Sequence, residues 1–208
     1  MIDAATAETF ARCLRVGGVA VFPSDTVYGL ACDPQDKEAV RRLYALKKRD
    51  IEKPSAVMFS DLELAFAAVP ELGARTREAM GRLLPGPVGV LVPNPGRRFG
   101  LACGDDPLTL GIRVPDLPAA AFALHTVRWP MLQSSANFAG EPDPRTVDDV
   151  PAGIREGADL VLDAGPLPGT PSTMVDLRGY EDDGTFAIVR EGIVPAADIT
   201  RLLARSGR

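Results

Sequence analysis

A chain of 208 residues with 46% hydrophobic and 25% charged side chains has the balance of one globular α/β domain, and no apolar run is long enough to cross a bilayer. A net charge of −5 and a pI near 5.0 argue against a surface that attracts nucleic acid everywhere, and leave anion binding to a local basic cleft. The three cysteines Cys13, Cys32 and Cys103 form no CxxC pair, so neither a disulfide framework nor a structural metal site is expected. The single histidine, His125, lies in an apolar stretch and reads as a packed helix residue. Met1-Ile2-Asp3-Ala4 lacks a basic segment followed by an apolar core, so the expectation is a cytoplasmic protein.

In chain order, apolar residues at helical spacing predict a helix over Thr6–Val16, closed by Gly17-Gly18. A buried strand, Val19–Phe22, runs into a polar turn, Pro23–Leu30. A helix over Asp36–Arg49 follows, with Lys47-Lys48-Arg49 as its last turn. Strand Ala56–Phe59 leads to a helix capped by Ser60 or Asp61, and a further helix spans Arg75–Leu84. After Leu84-Pro85-Gly86-Pro87 come strand Val88–Val92, a long Gly/Pro/Asp-rich loop at Asn94–Pro107, and strand Leu108–Val114 with Arg113 near its end. A helix is expected from Pro115 to Arg128, then strand Met131–Gln133 opening into Ser134–Asn137. A weak helix over Val147–Arg155 and strand Leu160–Leu162 come next. Strands Ser172–Leu177 and Phe186–Arg190, joined by a charged turn Glu181–Gly184, precede a closing helix, Pro195–Ala204. Early helix–strand alternation and a late hairpin predict a single domain over 1–208, built on a twisted mixed parallel/antiparallel sheet flanked by helices. The site is expected where strand ends run out into loops.

Polar residues collect in five places: Ser24–Tyr28, Lys47–Arg49, Thr109 with Arg113, Ser135 with Asn137, and Ser172-Thr173 with Arg190. Several cations among hydroxyls and an amide suit a cleft that holds a phosphate chain beside a small zwitterion. Each group also has a plainer role. Lys47 and Arg49 suit the end of a helix, Ser-Ala-Asn suits a turn, and Asp25 and Thr26 could cap one. Arg113 inside an apolar strand requires a partner. GxxxxGK[ST], GxGxxG after a strand and GxSxG are all absent, which disfavours P-loop, Rossmann and serine-hydrolase chemistry.

Taken together, the motifs resemble those of the YrdC-like family of threonylcarbamoyl-AMP synthases in its short form, without the extra C-terminal domain. The carriers are Pro23-Ser24-Asp25-Thr26-Val27-Tyr28-Gly29-Leu30, Lys47-Lys48-Arg49, Lys53-Pro54, Pro85-Gly86-Pro87, Arg113-Val114-Pro115, Ser135-Ala136-Asn137 with Gly140, Ser172-Thr173 to Asp176, and Arg190-Glu191-Gly192. Ser24 stands where the family usually has Thr, Asp50 where it has Pro, and Arg145 where it often has Thr. The resemblance implies a YrdC-like fold and a nucleotidyltransferase that makes threonylcarbamoyl-AMP and pyrophosphate from L-threonine, bicarbonate and ATP. That product feeds the threonylcarbamoyladenosine modification of tRNA through downstream transfer proteins. By position, Ser24, Arg113, Ser135 and Ser172 would contact threonine. Lys47, Arg49, Thr109, Asn137 and Arg190 would contact ATP, with Lys47, Arg49 and Arg113 carrying the catalysis. Magnesium is expected with ATP, without a dedicated protein site. Contact with tRNA remains open. Two other functions fit such a cleft: a transferase handling carbamoyl-adenylate, and a paralogue serving as a double-stranded RNA or tRNA-binding module.

Overall fold

Residues 1–204 are described by a computed structural model; positions 205–208 of the expected domain lie outside the described residues. Aspartates start several of the helices. In α1 (Ala4–Arg15) the Asp3 carboxylate accepts from Thr6 N at 2.8 Å, and in α2 (Lys37–Leu46) Asp36 accepts from Glu38 N and Ala39 N. Asp61 caps α3 (Leu62–Ala68) in the same way, and α4 (Ala74–Leu83) follows.

The strands are β1 (Ala20–Pro23), β2 (Tyr28–Cys32), β3 (Ala56–Met58), β4 (Val88–Pro93), β5 (Thr109–Arg113), β6 (Met131–Ser135), β7 (Leu160–Val161), β8 (Thr173–Asp176) and β9 (Ala187–Arg190). They form one sheet in the order β7-β1-β2-β6-β3-β5-β4-β8-β9. Pairs β1/β7, β3/β5 and β4/β8 are parallel and the remaining five antiparallel, so the expected mixed sheet is the observed one.

Several local expectations are corrected. The motif at Pro23–Leu30 is a turn only as far as Val27; its second half is β2, which pairs antiparallel with β1. All five β2 residues are buried, so no polar alternation marks the strand in the sequence. Helix α2 stops at Leu46: Lys47 caps it and Lys48 takes a left-handed φ of 49°, which puts Arg49 beyond the helix. The stretch after Pro115 is a 3-10 helix, Ala119–Thr126; its buried residues Ala121 and Leu124 and its buried C-cap Val127 recur every three positions, the period of that helix. The expected helix at Val147–Arg155 shortens to α5 (Ala152–Gly157), with Pro151 at its N-cap. Strands β8 and β9 are joined by α6 (Tyr180–Asp183), ended by Gly184 at φ 78°, and α7 (Ala196–Ala204) closes the chain.

Period-two alternation sorts the sheet residues onto two faces. Val21, Leu30, Val57, Val90, Ile112, Leu132 and Val175 lie on one face, in the main core with α2, α4, α5 and α7. The other face is covered over part of its width. Phe22, Ala31, Met58 and Met131 pack there against Phe10 and Leu14 of α1 and Ala121 and Leu124 of the 3-10 helix. Among the described residues no element covers that face beyond β3 and β6, and the site lies there.

Candidate functional site

The uncovered face is the floor of a cleft of about 560 Å³. Alternate residues of five neighbouring strands line it: Gln133 and Ser135 of β6, Ala56 of β3, Thr109, Gly111 and Arg113 of β5, Leu91 of β4, and Met174 of β8. Register fixes its length. Thr109 pairs with Pro93 at one end of β4, and Ser172 precedes Thr173, which pairs with Val88 at the other end. Five residue steps separate Val88 from Pro93, about 17 Å at the usual strand rise, and Ser172 lies one step further. Among the expected site residues, Thr109, Arg113, Ser135, Ser172 and Arg190 lie at strand ends but at opposite ends of the sheet, so the cleft runs along the sheet face between them.

At the boundary with the covered half sits a buried ion pair. Arg113 is 3% exposed, and its Nη2 meets Asp25 Oδ1 at 2.5 Å. Its Nη1 donates to Ser24 Oγ and Gln133 Oε1, both at 3.3 Å, and Ser24 Oγ donates to Asp25 Oδ1 at 2.8 Å. The backbone N of Asp116 completes the set on Asp25 Oδ2 at 3.1 Å. The partner Arg113 requires is thus Asp25, inside the motif, while its Nε is buried with no partner. Such an arginine can turn one remaining N–H toward an anion without losing its own counter-ion.

A second device stands where α2 ends. Lys47 is 1% exposed, and its ammonium donates to Ser135 O, Asn137 O and Asn137 Oδ1, the last two at 2.9 Å. Asn137 Oδ1 also accepts from Ser135 Oγ at 2.7 Å, and Asn137 Nδ2 donates to Glu141 O at 2.6 Å. Lys47 thus ties the turn after α2 to the loop after β6. Burial, with Arg49 adding to it and Asp143 opposing it, pushes Lys47 down to about 8 from the ordinary 10.5.

Of the nine expected site residues, Arg49, Thr109, Arg113, Ser135, Ser172 and Arg190 line the cleft. Ser24, Lys47 and Asn137 stand behind it and reach it through Arg113 or Ser135. Arg49 Nη2 donates to Pro54 O at 2.9 Å, and Arg190 Nη2 donates to Ser172 O at 2.7 Å and Ser172 Oγ at 3.3 Å. Burial holds Arg190 below the ordinary arginine value; Asp143 opposes this and Arg113 adds to it.

Sequence reasoning missed Asp143, Gln133 and Arg178 in the lining. Asp143 lies between two prolines in a loop, and Arg178 lies just past β8, so no pattern marks either. Thr26, taken as a turn cap, lines the cleft with its Oγ1 buried and unpartnered. Among the described residues four buried side-chain polar atoms lack a partner, and three of them, Thr26 Oγ1, Arg49 Nε and Arg113 Nε, belong to the lining. Buried polar atoms are normally paired, so this concentration marks the cleft as a place where a polar ligand supplies the partners. Tyr28 is structural: its hydroxyl bonds Asp163 Oδ1 and Gly165 O, and burial pushes it up to about 12. His125 packs against Phe122 and bonds Ser60 O, outside the lining. Among the described residues no group of three His, Cys, Asp or Glu is placed to hold a metal ion, and no helix is long and apolar enough to cross a membrane.

The fold and cleft define a class, namely α/β domains with a polar cleft on the half-open face of a mixed sheet. The chain belongs to the Sua5/YciO/YrdC family, whose model, described as telomere recombination, matches residues 12–192. It is 36% identical over 168 residues to a threonylcarbamoyl-AMP synthase of Chromohalobacter salexigens, covering 81% of this chain and 90% of that one. It is 34% identical over 176 residues to the synthase of Stutzerimonas stutzeri, covering 84% and 94%. Among solved structures, E. coli YciO superposes with a TM-score of 0.80 at 25% identity over 94% of this chain and 93% of that chain. P. abyssi Sua5 in complex with L-threonine gives 0.85 at 24% identity, a likeness of fold; the match covers 97% of this chain and 58% of that longer one.

Proposed function

We propose that this chain is an L-threonylcarbamoyladenylate synthase. It would join L-threonine, bicarbonate and ATP into threonylcarbamoyl-AMP, releasing pyrophosphate and water. The observation that carries this reading is the cleft itself, lined by Arg49, Arg113, Arg178 and Arg190 with Ser135 and Ser172, in a chain whose relatives are named for this synthesis. In the reaction the threonine amine adds to the carbon of bicarbonate or carbon dioxide. A carbamate oxygen then bonds to the α-phosphorus while the bond to the pyrophosphate oxygen breaks. No covalent enzyme intermediate is required. Catalysis reduces to holding two anions together and stabilising charge on the phosphates, which arginines and hydroxyls can do.

Arg113 is assigned to the threonine carboxylate through an N–H that its protein partners leave unused, with Ser135 and Ser172 beside it and Ser24 holding the guanidinium from behind. Arg49 and Arg190 take phosphate oxygens: among the described residues they line the cleft without a carboxylate at ion-pair distance, whereas Arg113 has Asp25 and Arg178 has both Asp176 and Asp106. Thr109 contacts the nucleotide, and Lys47 and Asn137 act through the loop they hold. Magnesium would enter as part of the nucleotide substrate, held by phosphate oxygens and water. The product would pass to proteins that transfer the threonylcarbamoyl group to tRNA, in the cytoplasm, where ATP and tRNA meet.

The test is pyrophosphate release by the purified chain. It is expected only when ATP, threonine and bicarbonate are present together, and release indifferent to threonine refutes the reading. Release with carbamoyl phosphate in place of threonine and bicarbonate would point to the carbamoyl-adenylate transferase instead.

A further inference from the structure

The reading above gives Arg178 no partner in the substrate and leaves open which part of the nucleotide Thr109 meets. Just past β8, Arg178 folds back on Asp176: Nε lies 3.0 Å from both carboxylate oxygens and Nη2 lies 2.6 Å from Oδ2. Its remaining nitrogen, Nη1, crosses β4 to donate to Thr109 Oγ1 on β5 at 3.2 Å, and lies 3.7 Å from Asp106 Oδ2. The Thr109 hydroxyl in turn donates to Asp106 Oδ2 at 2.6 Å. Asp106 is held below the ordinary carboxylate range by its hydrogen bonds from Thr109 and Leu108, and Asp176 by those from Arg178, so both stay ionised at neutral pH and act only as acceptors.

A hydroxyl carries one hydrogen and two lone pairs. At Thr109 the hydrogen is committed to Asp106 and one lone pair to Arg178. The one valence left is an acceptor, and Thr109, Asp106 and Arg178 all line the cleft. A phosphate oxygen, which carries no proton to give, finds no donor at the Thr109 hydroxyl. We propose that Arg178 is a positioning residue that fixes the Thr109 hydroxyl as an acceptor, so that this part of the cleft receives a hydrogen-bond donor of the nucleoside, a ribose hydroxyl or the exocyclic amine. This rests on the reading of the cleft as an ATP site and adds which part of the nucleotide Thr109 recognises.

The experiment is calorimetric titration of the full chain, in magnesium, with ATP and three analogues that each lack one donor: 2′-deoxy-ATP, 3′-deoxy-ATP and purine riboside triphosphate. One analogue is expected to bind about five- to tenfold more weakly than ATP, the worth of one hydrogen bond, and its identity names the donor. That gap should close in Thr109→Val, persist in Thr109→Ser, shrink in Arg178→Ala and return in Arg178→Lys. Thermal unfolding verifies that each variant is folded. Three analogues that bind the wild type as ATP does, a gap unmoved by Arg178→Ala, or a wild type that does not bind ATP would each overturn the proposal. A chain that binds ATP with this pattern yet releases no threonine-dependent pyrophosphate would leave the proposal standing and refute the synthase reading alone.

Discussion

One face of a single sheet is closed over β1 and β2 and open over β5, β4 and β8, with β3 and β6 divided between the two. The Met58 end of β3 and the Met131 end of β6 lie under α1 and the 3-10 helix, while Ala56 and Gln133 on the same strands line the cleft. Backbone geometry does not distinguish the halves, since strand spacing and pleat are common to both. Side chains do. Where Phe22, Met58 and Met131 project, an apolar surface had to be buried and a helix lies on it. Where Thr109, Gly111 and Arg113 project, the small side chains leave room and the guanidinium needs counter-charges rather than a helix. The closed half therefore holds the fold together and the open half leaves polar atoms unsatisfied for a ligand.

The largest expected effect falls on the boundary between them. Arg113→Ala leaves the Asp25 carboxylate buried without its counter-ion, so unfolding free energy should drop by about 3–5 kcal/mol in urea titrations, and pyrophosphate release should vanish. The buried pair makes this residue serve both halves. Within the closed half, Met58→Ala should cost about 2–3 kcal/mol with the threonine KM unchanged, as measured by the same titrations and by steady-state kinetics. A raised KM there would erase the division between the halves.

Lys47 separates stability from activity by pH. Its proton leaves near pH 8 in the fold and near 10.5 in the unfolded chain, so between those values the unfolded state binds more protons and Lys47 makes stability rise with pH. Over the same interval activity should fall, because a neutral amine donates only two hydrogens to the three oxygens that Ser135 and Asn137 present. Urea titrations from pH 7.5 to 10, with Lys47→Met as the control that removes this contribution, test the first half of the statement; pyrophosphate release over the same range tests the second. The smallest effect is expected for Gly111→Ala. The added methyl would meet Ala56 Cα at 3.4 Å and Leu91 Cδ2 at 3.7 Å, ordinary contacts, so stability should move by about 0.5 kcal/mol or less while the narrowed floor raises a substrate KM a few-fold.

The strands that alternate apolar with polar or small residues, β3, β4, β5 and β6, were legible in order and nearly in extent, and so were the aspartate-capped helices. The buried β2 was not, because a strand apolar on both faces shows no period. The polar clusters around Arg49, Thr109, Arg113, Ser135, Ser172 and Arg190 could be picked out because cations and hydroxyls among apolar strands are costly without a purpose. Asp143 and Arg178 could not, since a single charge in a loop is ordinary in any sequence.

Composition and periodicity were enough to specify a mixed α/β domain and to place Arg113 on a strand in need of a partner. Local patterns report only what neighbours along the chain share, namely burial, turn and charge. Which face of the sheet stays uncovered, that Asp25 is the partner of Arg113, and that Lys47 holds the Ser135–Asn137 loop from behind depend on strand order and register. Those bring residues 88 and 90 positions apart within hydrogen-bonding distance, and a spacing of that length leaves no periodic trace in the sequence.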